Sequence, residues 1–100
     1  MKLWVDDIRP APEGYIWAKS VLQAMGQIIY AEHVYKTRLE LIDIDHDAGD
    51  YAYNGGDYIK LLDWLEETGR NYPIRIHSMN PVGRENMRRI IKRNGWKEIY

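Results

Sequence analysis

The 100-residue chain contains no cysteine and no phenylalanine. The first absence excludes disulfides, thiolate chemistry and cysteine-bound zinc. The second leaves 4 tryptophans and 8 tyrosines to supply the aromatic bulk; each carries a polar group that needs a partner when buried. No apolar run approaches the length of a membrane span, and no charged-then-apolar leader precedes the first strand-like run. The chain is therefore expected in the cytoplasm, without a membrane partner. It shows no repeat, low-complexity tract or linker, and its length suits one compact domain over residues 1–100. Charge of one sign is lacking too: the net charge of −1 argues against a broad surface for coating nucleic acid.

The charges that are present are unevenly placed. Residues 84–97 hold Arg84, Arg88, Arg89, Lys92, Arg93 and Lys97 against Glu85, whereas Asp6, Asp7, Asp43, Asp45, Asp47, Asp50 and Asp57 come earlier. An acidic pocket beside a basic helix suits a metal next to a phosphate; a solvated basic helix face gives the same pattern.

Hydrophobic patterning predicts the elements. Leu3-Trp4-Val5 reads as a buried strand ending in Asp6-Asp7. Pro10, Pro12 and Gly14 make the next segment a loop. Residues 15–18 form a second short strand. Ser20 caps a helix carrying Val21, Leu22, Met25, Ile28 and Ile29 at helical spacing, weakened by Gly26. Residues 39–44 form a third strand ending in Asp45-His46-Asp47. After a glycine-rich loop with Gly55-Gly56, residues 58–67 form a helix closed by Gly69. Ile74-Arg75-Ile76 is a fourth strand, ending in His77-Ser78. Asn80 caps, and Pro81 opens, a last helix that Gly95 stops, and residues 96–100 form an edge strand. Alternating strands and helices imply a three-layer α/β sandwich. Its parallel sheet of about five strands has the order 2-1-3-4-5 and helices on both faces. In such sheets ligands bind outside the carboxyl ends of the strands.

Three strands end in polar clusters at that edge. Carboxylates forced together repel and need a cation or shared protons. A hard divalent ion, Mg²⁺ or else Mn²⁺, on oxygen ligands is the simplest solution, and Asp6, Asp7, Asp45 and Asp47 are the candidate ligands. Taken singly, each aspartate also reads as an ordinary cap at a strand end. His46 and His77 are candidate acid–base groups or metal ligands, with Asp45 a candidate nucleophile. His33 reads as surface. The N-terminus of the last helix, with Ser78, Asn80, Gly83 and Arg84, is the candidate phosphate site: it offers backbone N–H groups, close approach at Gly83 and an arginine. Plain helix capping explains the same residues. Asp43 is either solvent-facing or a buried supporting group.

Asp6-Asp7, Asp45 and Ser78 fall where response-regulator receiver domains carry their acid pair, phospho-acceptor and hydroxyl residue. The lysine expected after the fifth strand is missing. A proline-rich loop replaces the first helix, and Asp45 is followed by His46-Asp47. Trp4-Val5-Asp6-Asp7-Ile8-Arg9, Asp45-His46-Asp47-Ala48-Gly49 and His77-Ser78-Met79-Asn80-Pro81-Val82-Gly83-Arg84 resemble the cyclic-phosphate-processing receiver-like family through nearly the whole chain. The resemblance implies a receiver fold and the processing of cyclic phosphate ends on RNA in repair settings. The expected activity is therefore a metal-dependent phosphoesterase acting on 2′,3′-cyclic or other terminal phosphates, with a phosphate-bearing substrate such as an RNA end. A non-enzymatic phospho-acceptor or phosphate-binding module is the alternative. An HD-type phosphohydrolase built on His46-Asp47 fits poorly, because that class places its residues on helices. Oligomeric state is not written in the sequence.

Overall fold

A computed structural model describes residues 1–100. Five strands, β1 (Lys2–Val5), β2 (Tyr15–Ala18), β3 (Leu41–Ile44), β4 (Ile74–Ile76) and β5 (Glu98–Ile99), make one sheet in the order β2-β1-β3-β4-β5. Every pairing is parallel. Three helices, α1 (Val21–His33), α2 (Ile59–Glu67) and α3 (Pro81–Asn94), connect them. The expected strand order and parallel pairing are those observed. β3 starts two residues later than residue 39. Leu39 is buried ahead of it, and the Glu40 N–H reaches back to the Met1 carbonyl rather than into the ladder. β5 is shorter than residues 96–100: Trp96 continues the α3 turn through a bond to the Ile91 carbonyl. No helix is long and apolar enough to cross a membrane.

The caps act as the sequence implies. The Ser20 side chain accepts from the Gln23 N–H, the Asn80 side chain accepts from the Gly83 N–H, and Pro81 opens α3. Gly95 closes α3 at φ +68°, a left-handed conformation that suits glycine.

The helices cover one face of the sheet. Alternation along the strands turns Leu3, Val5, Ala18, Ile42, Ile44, Ile74 and Ile76 toward that face. They form one buried core with Val21, Ala24 and Ile28 of α1, Leu61, Leu62 and Leu65 of α2, and Met87, Ile90 and Ile91 of α3. The connections β2–α1–β3, β3–α2–β4 and β4–α3–β5 all step the same way across the sheet, and right-handed crossovers then lay all three helices on the same side. The expected second helical layer has no helix in it. The one connection that steps the opposite way, from β1 to β2, is the loop containing Pro10 and Pro12. Proline removes the N–H that a helix interior needs. The other face therefore carries a row across the sheet, Trp17, Trp4, Asp43, Arg75 and Ile99, in mutual register. The loop is pinned over one end of it. Trp4 Nε1–H donates to the Arg9 carbonyl at 2.9 Å, and Trp17 Nε1–H to the Asp6 carbonyl at 2.7 Å.

Candidate functional site

The ladder runs one residue past each strand end, and this brings the polar clusters together. Asp6 N–H donates to the Ala18 carbonyl, Asp45 N–H to Val5, and His77 N–H to Ile44. Asp6, Asp45 and His77 thus stand side by side at the carboxyl edge. One ligand atom from each lies within 4.8 Å of the others, a group able to hold a metal ion.

Each member is held differently. Asp6 is buried, and its Oδ1 accepts the N–H groups of Ile8 and Arg9, both at 2.9 Å. Burial works to raise its pKa, but the two backbone donors and His77 outweigh it, and the carboxyl lies below its ordinary value. Its Oδ2 is 2.8 Å from His77 Nε2. Asp45 accepts the His46 N–H at 2.8 Å. Asp7 lies beside the pair, with its carboxylate against Gly49, where φ is +55° and a Cβ would lie 2.3 Å from the Asp7 Oδ2. Burial, and then the charges of Asp6 and Asp45, push the Asp7 carboxyl up. Burial is the larger cause, and the two neighbouring carboxylates add to it. Tyr58 feels the same field. Burial raises its phenol strongly, the charges of Asp7, Asp6 and Asp45 add to this, and its OH donates to the Lys19 carbonyl at 2.7 Å.

His77 is clamped on three sides. Its Nδ1 lies 2.6 Å from Asp43 Oδ1, its Nε2 faces Asp6, and its ring stacks on Trp4 at 3.9 Å with the planes 3° apart. Asp43, left open between solvent and support by the sequence, is 1% exposed and supports His77. Its second oxygen has no hydrogen-bond partner, and the nearest cation, Arg75 Nη1, is 3.7 Å away.

His46 lies between Asp47 and the first turn of α3. Its Nδ1 lies 2.8 Å from Asp47 Oδ1, which leaves Nε2 uncommitted. The ring lies on the first turn of α3: a Cβ built on Gly83 would sit 2.4 Å from His46 Cγ. Gly83 was expected to admit a ligand; the space it leaves is filled by the histidine. Asp47 is largely exposed and meets His46 rather than the Asp6–Asp45–His77 group.

The N-terminus of α3 satisfies itself in part. Ser78 Oγ accepts the Asn80 N–H at 3.1 Å, Asn80 Oδ1 accepts the Gly83 N–H at 3.0 Å, and Pro81 has no N–H. Arg84 Nη1 donates to the Ser78 carbonyl at 3.0 Å, with the rest of its guanidinium unspent. The donors left for an anion are the Ser78 hydroxyl, the Val82 N–H and Arg84. Arg9, which ends the Trp4–Arg9 motif but has no role assigned from the sequence, reaches the His77 carbonyl through Nη1 at 3.3 Å across 68 residues of chain. The Trp4 stack was equally hidden.

A parallel 2-1-3-4-5 sheet with aspartates gathered at its carboxyl edge defines a receiver-type α/β domain. The family model for cyclic-phosphate processing receiver domains matches residues 1–93, and the chain belongs to that family. Comparison with curated proteins and with solved structures returned no match.

Proposed function

We propose that the chain is a metal-dependent phosphoesterase that opens a 2′,3′-cyclic phosphate, or releases another terminal phosphate, on RNA. The observation that supports this most is the meeting of Asp6, Asp45 and His77 within 4.8 Å, in a member of a cyclic-phosphate processing family. The donor set, two carboxylates and one imidazole, fits Mg²⁺ or Mn²⁺, and the imidazole favours Mn²⁺ more than an all-oxygen set would. The Asp43–His77 contact matches the carboxylate that commonly orients a metal-binding histidine. Asp7 and Asp47 are then neighbours that add negative charge.

When bound, the ion supplies positive charge at the phosphoryl oxygens and makes water more acidic. The remaining work falls to the chain. Ser78, Val82 N–H and Arg84 hold the phosphate against the start of α3. His46 delivers a proton from Nε2 to the leaving ribose oxygen as its bond to phosphorus breaks, while the bond from water to phosphorus forms and the water proton leaves to solvent. Asp47, on Nδ1, orients the ring.

The test is product formation from 2′,3′-cyclic-ended RNA with and without Mg²⁺ or Mn²⁺. Wild type yields a phosphomonoester only with metal. His77→Ala loses metal affinity and turnover together, whereas His46→Ala keeps metal affinity and loses turnover. No monoester with either metal overturns the enzymatic reading and leaves the phospho-acceptor module, in which Asp45 at the end of β3 takes a phosphoryl group. Acid-labile phosphate on wild type but not on Asp45→Asn identifies that module.

A further inference from the structure

We propose that the groove beside the site is a second binding surface, which holds the sugar–phosphate strand leading to the terminal phosphate. This rests on the phosphate reading above. The groove has a volume of about 310 Å³, at the small end of ligand pockets. It starts at His77 and Ser78 and runs between β4, β5 and the first two turns of α3. Three arginines line it, Arg75, Arg84 and Arg88, against one carboxylate, Glu98.

Those guanidiniums have capacity to spare. Each carries five N–H donors in a planar fork suited to phosphate oxygens. Arg88 uses Nε on Glu98 at 2.8 Å, and Arg84 uses Nη1 on the Ser78 carbonyl. Arg75 is half exposed and makes no hydrogen bond, its approach to Asp43 being 3.7 Å. It lies two residues before His77 on the same strand face, about 7 Å along the strand, so a second phosphate there is distinct from the first. Arg84 and Arg88 are one helical turn apart and present their charge to the same side. Tyr100, 85% exposed, also lines the groove, with its ring centroid 5.7 Å from the Arg88 guanidinium. An exposed aromatic beside arginines is the arrangement on which unpaired bases stack. The net charge of the whole chain is −1, so this cationic groove is local.

The experiment measures affinity without turnover, using a 3′-phosphorylated tetranucleotide, the corresponding 3′-mononucleotide and a phosphoserine peptide. Wild type binds the tetranucleotide at least tenfold tighter than the other two, and the gap narrows as salt rises. Arg75→Gln and Tyr100→Ala each weaken the tetranucleotide about tenfold and leave the mononucleotide unchanged. Equal affinity for tetranucleotide and mononucleotide, equal loss of both in the variants, or preference for the phosphopeptide overturns the inference. Turnover of a cyclic mononucleotide tests the site reading separately. An enzyme that opens it but shows no tetranucleotide preference keeps its activity and loses its groove.

Discussion

Replacing Gly83 by alanine sets two opposed effects against each other, and the geometry decides between them. Alanine in place of glycine within a helix stabilises by about 0.5–1 kcal/mol, because the unfolded chain has less freedom to lose. At Gly83 the new methyl lies 2.4, 2.5 and 2.9 Å from His46 Cγ, Cδ2 and Nδ1, closer than such contacts occur. The His46 backbone has little room to yield, since its N–H is held by Asp45 and its carbonyl by the Tyr58 N–H. The ring must swing away and lose Asp47. Overpacking of this kind costs about 1–3 kcal/mol. The net expectation is a loss of about 1–2 kcal/mol, or a fall in Tm of roughly 5–15 °C for a domain of this size. Gly26→Ala is the internal control. It too lies in a helix, but a Cβ there meets nothing within 4 Å; its Tm should rise by a few degrees. Thermal melts with the His46 ring resonances followed by NMR make the measurement. Gly83→Ala stabilised as much as Gly26→Ala, with His46 undisturbed, refutes the reasoning.

Asp7→Asn should raise the Tm of the metal-free protein at pH 7 and reduce the gain on adding Mn²⁺. A carboxyl whose folded pKa is raised contributes stability that is lost as pH climbs through that value, so the advantage should fade toward pH 4. Asp6 has the opposite sign: its depressed pKa gives stability above the unfolded value that is lost as pH falls, so Asp6→Asn should flatten the acid limb of the melting curve. Asp43→Asn keeps the shape but weakens the hold on His77. Urea melts should show a loss of about 1–3 kcal/mol, and titration a fall in metal affinity of about 10–100-fold; unchanged affinity would separate Asp43 from the site. Far from the pocket, Glu32 takes Arg70 through both Nε and Nη2 and also accepts from the Tyr72 hydroxyl. Glu32→Gln should cost about 1–2 kcal/mol in urea without altering metal affinity.

Strand order and the meeting edge were readable because buried parallel strands announce themselves as short apolar runs, and a polar cluster after each run marks its carboxyl end. The caps at Ser20 and Asn80 and the stop at Gly95 are local rules and held. The helix-free face was harder to foresee, although its cause, Pro10 and Pro12 in the only connection that runs back across the sheet, was visible. Direction across the sheet becomes apparent once strand neighbours are known. At the site, sequence named the residues but not their partners. Whether His77 meets Asp43 or water depends on a contact across 34 residues. Whether Gly83 faces a ligand or His46 depends on where β3 ends relative to α3, and no local pattern encodes that.

The stacking of Trp4 on His77 gives the molecule an optical gauge of its own pocket. Indole emission is sensitive to what its ring touches, and the imidazole lies in face contact with it, ring centroids 3.9 Å apart. An ion held by Asp6, Asp45 and His77 would change the surroundings of the ring that Trp4 stacks on. The other three tryptophans, at positions 17, 64 and 96, form no such stack with a histidine. The difference in emission between wild type and Trp4→Phe therefore isolates the signal. Occupancy of the candidate metal centre would then be followed in real time with no label attached.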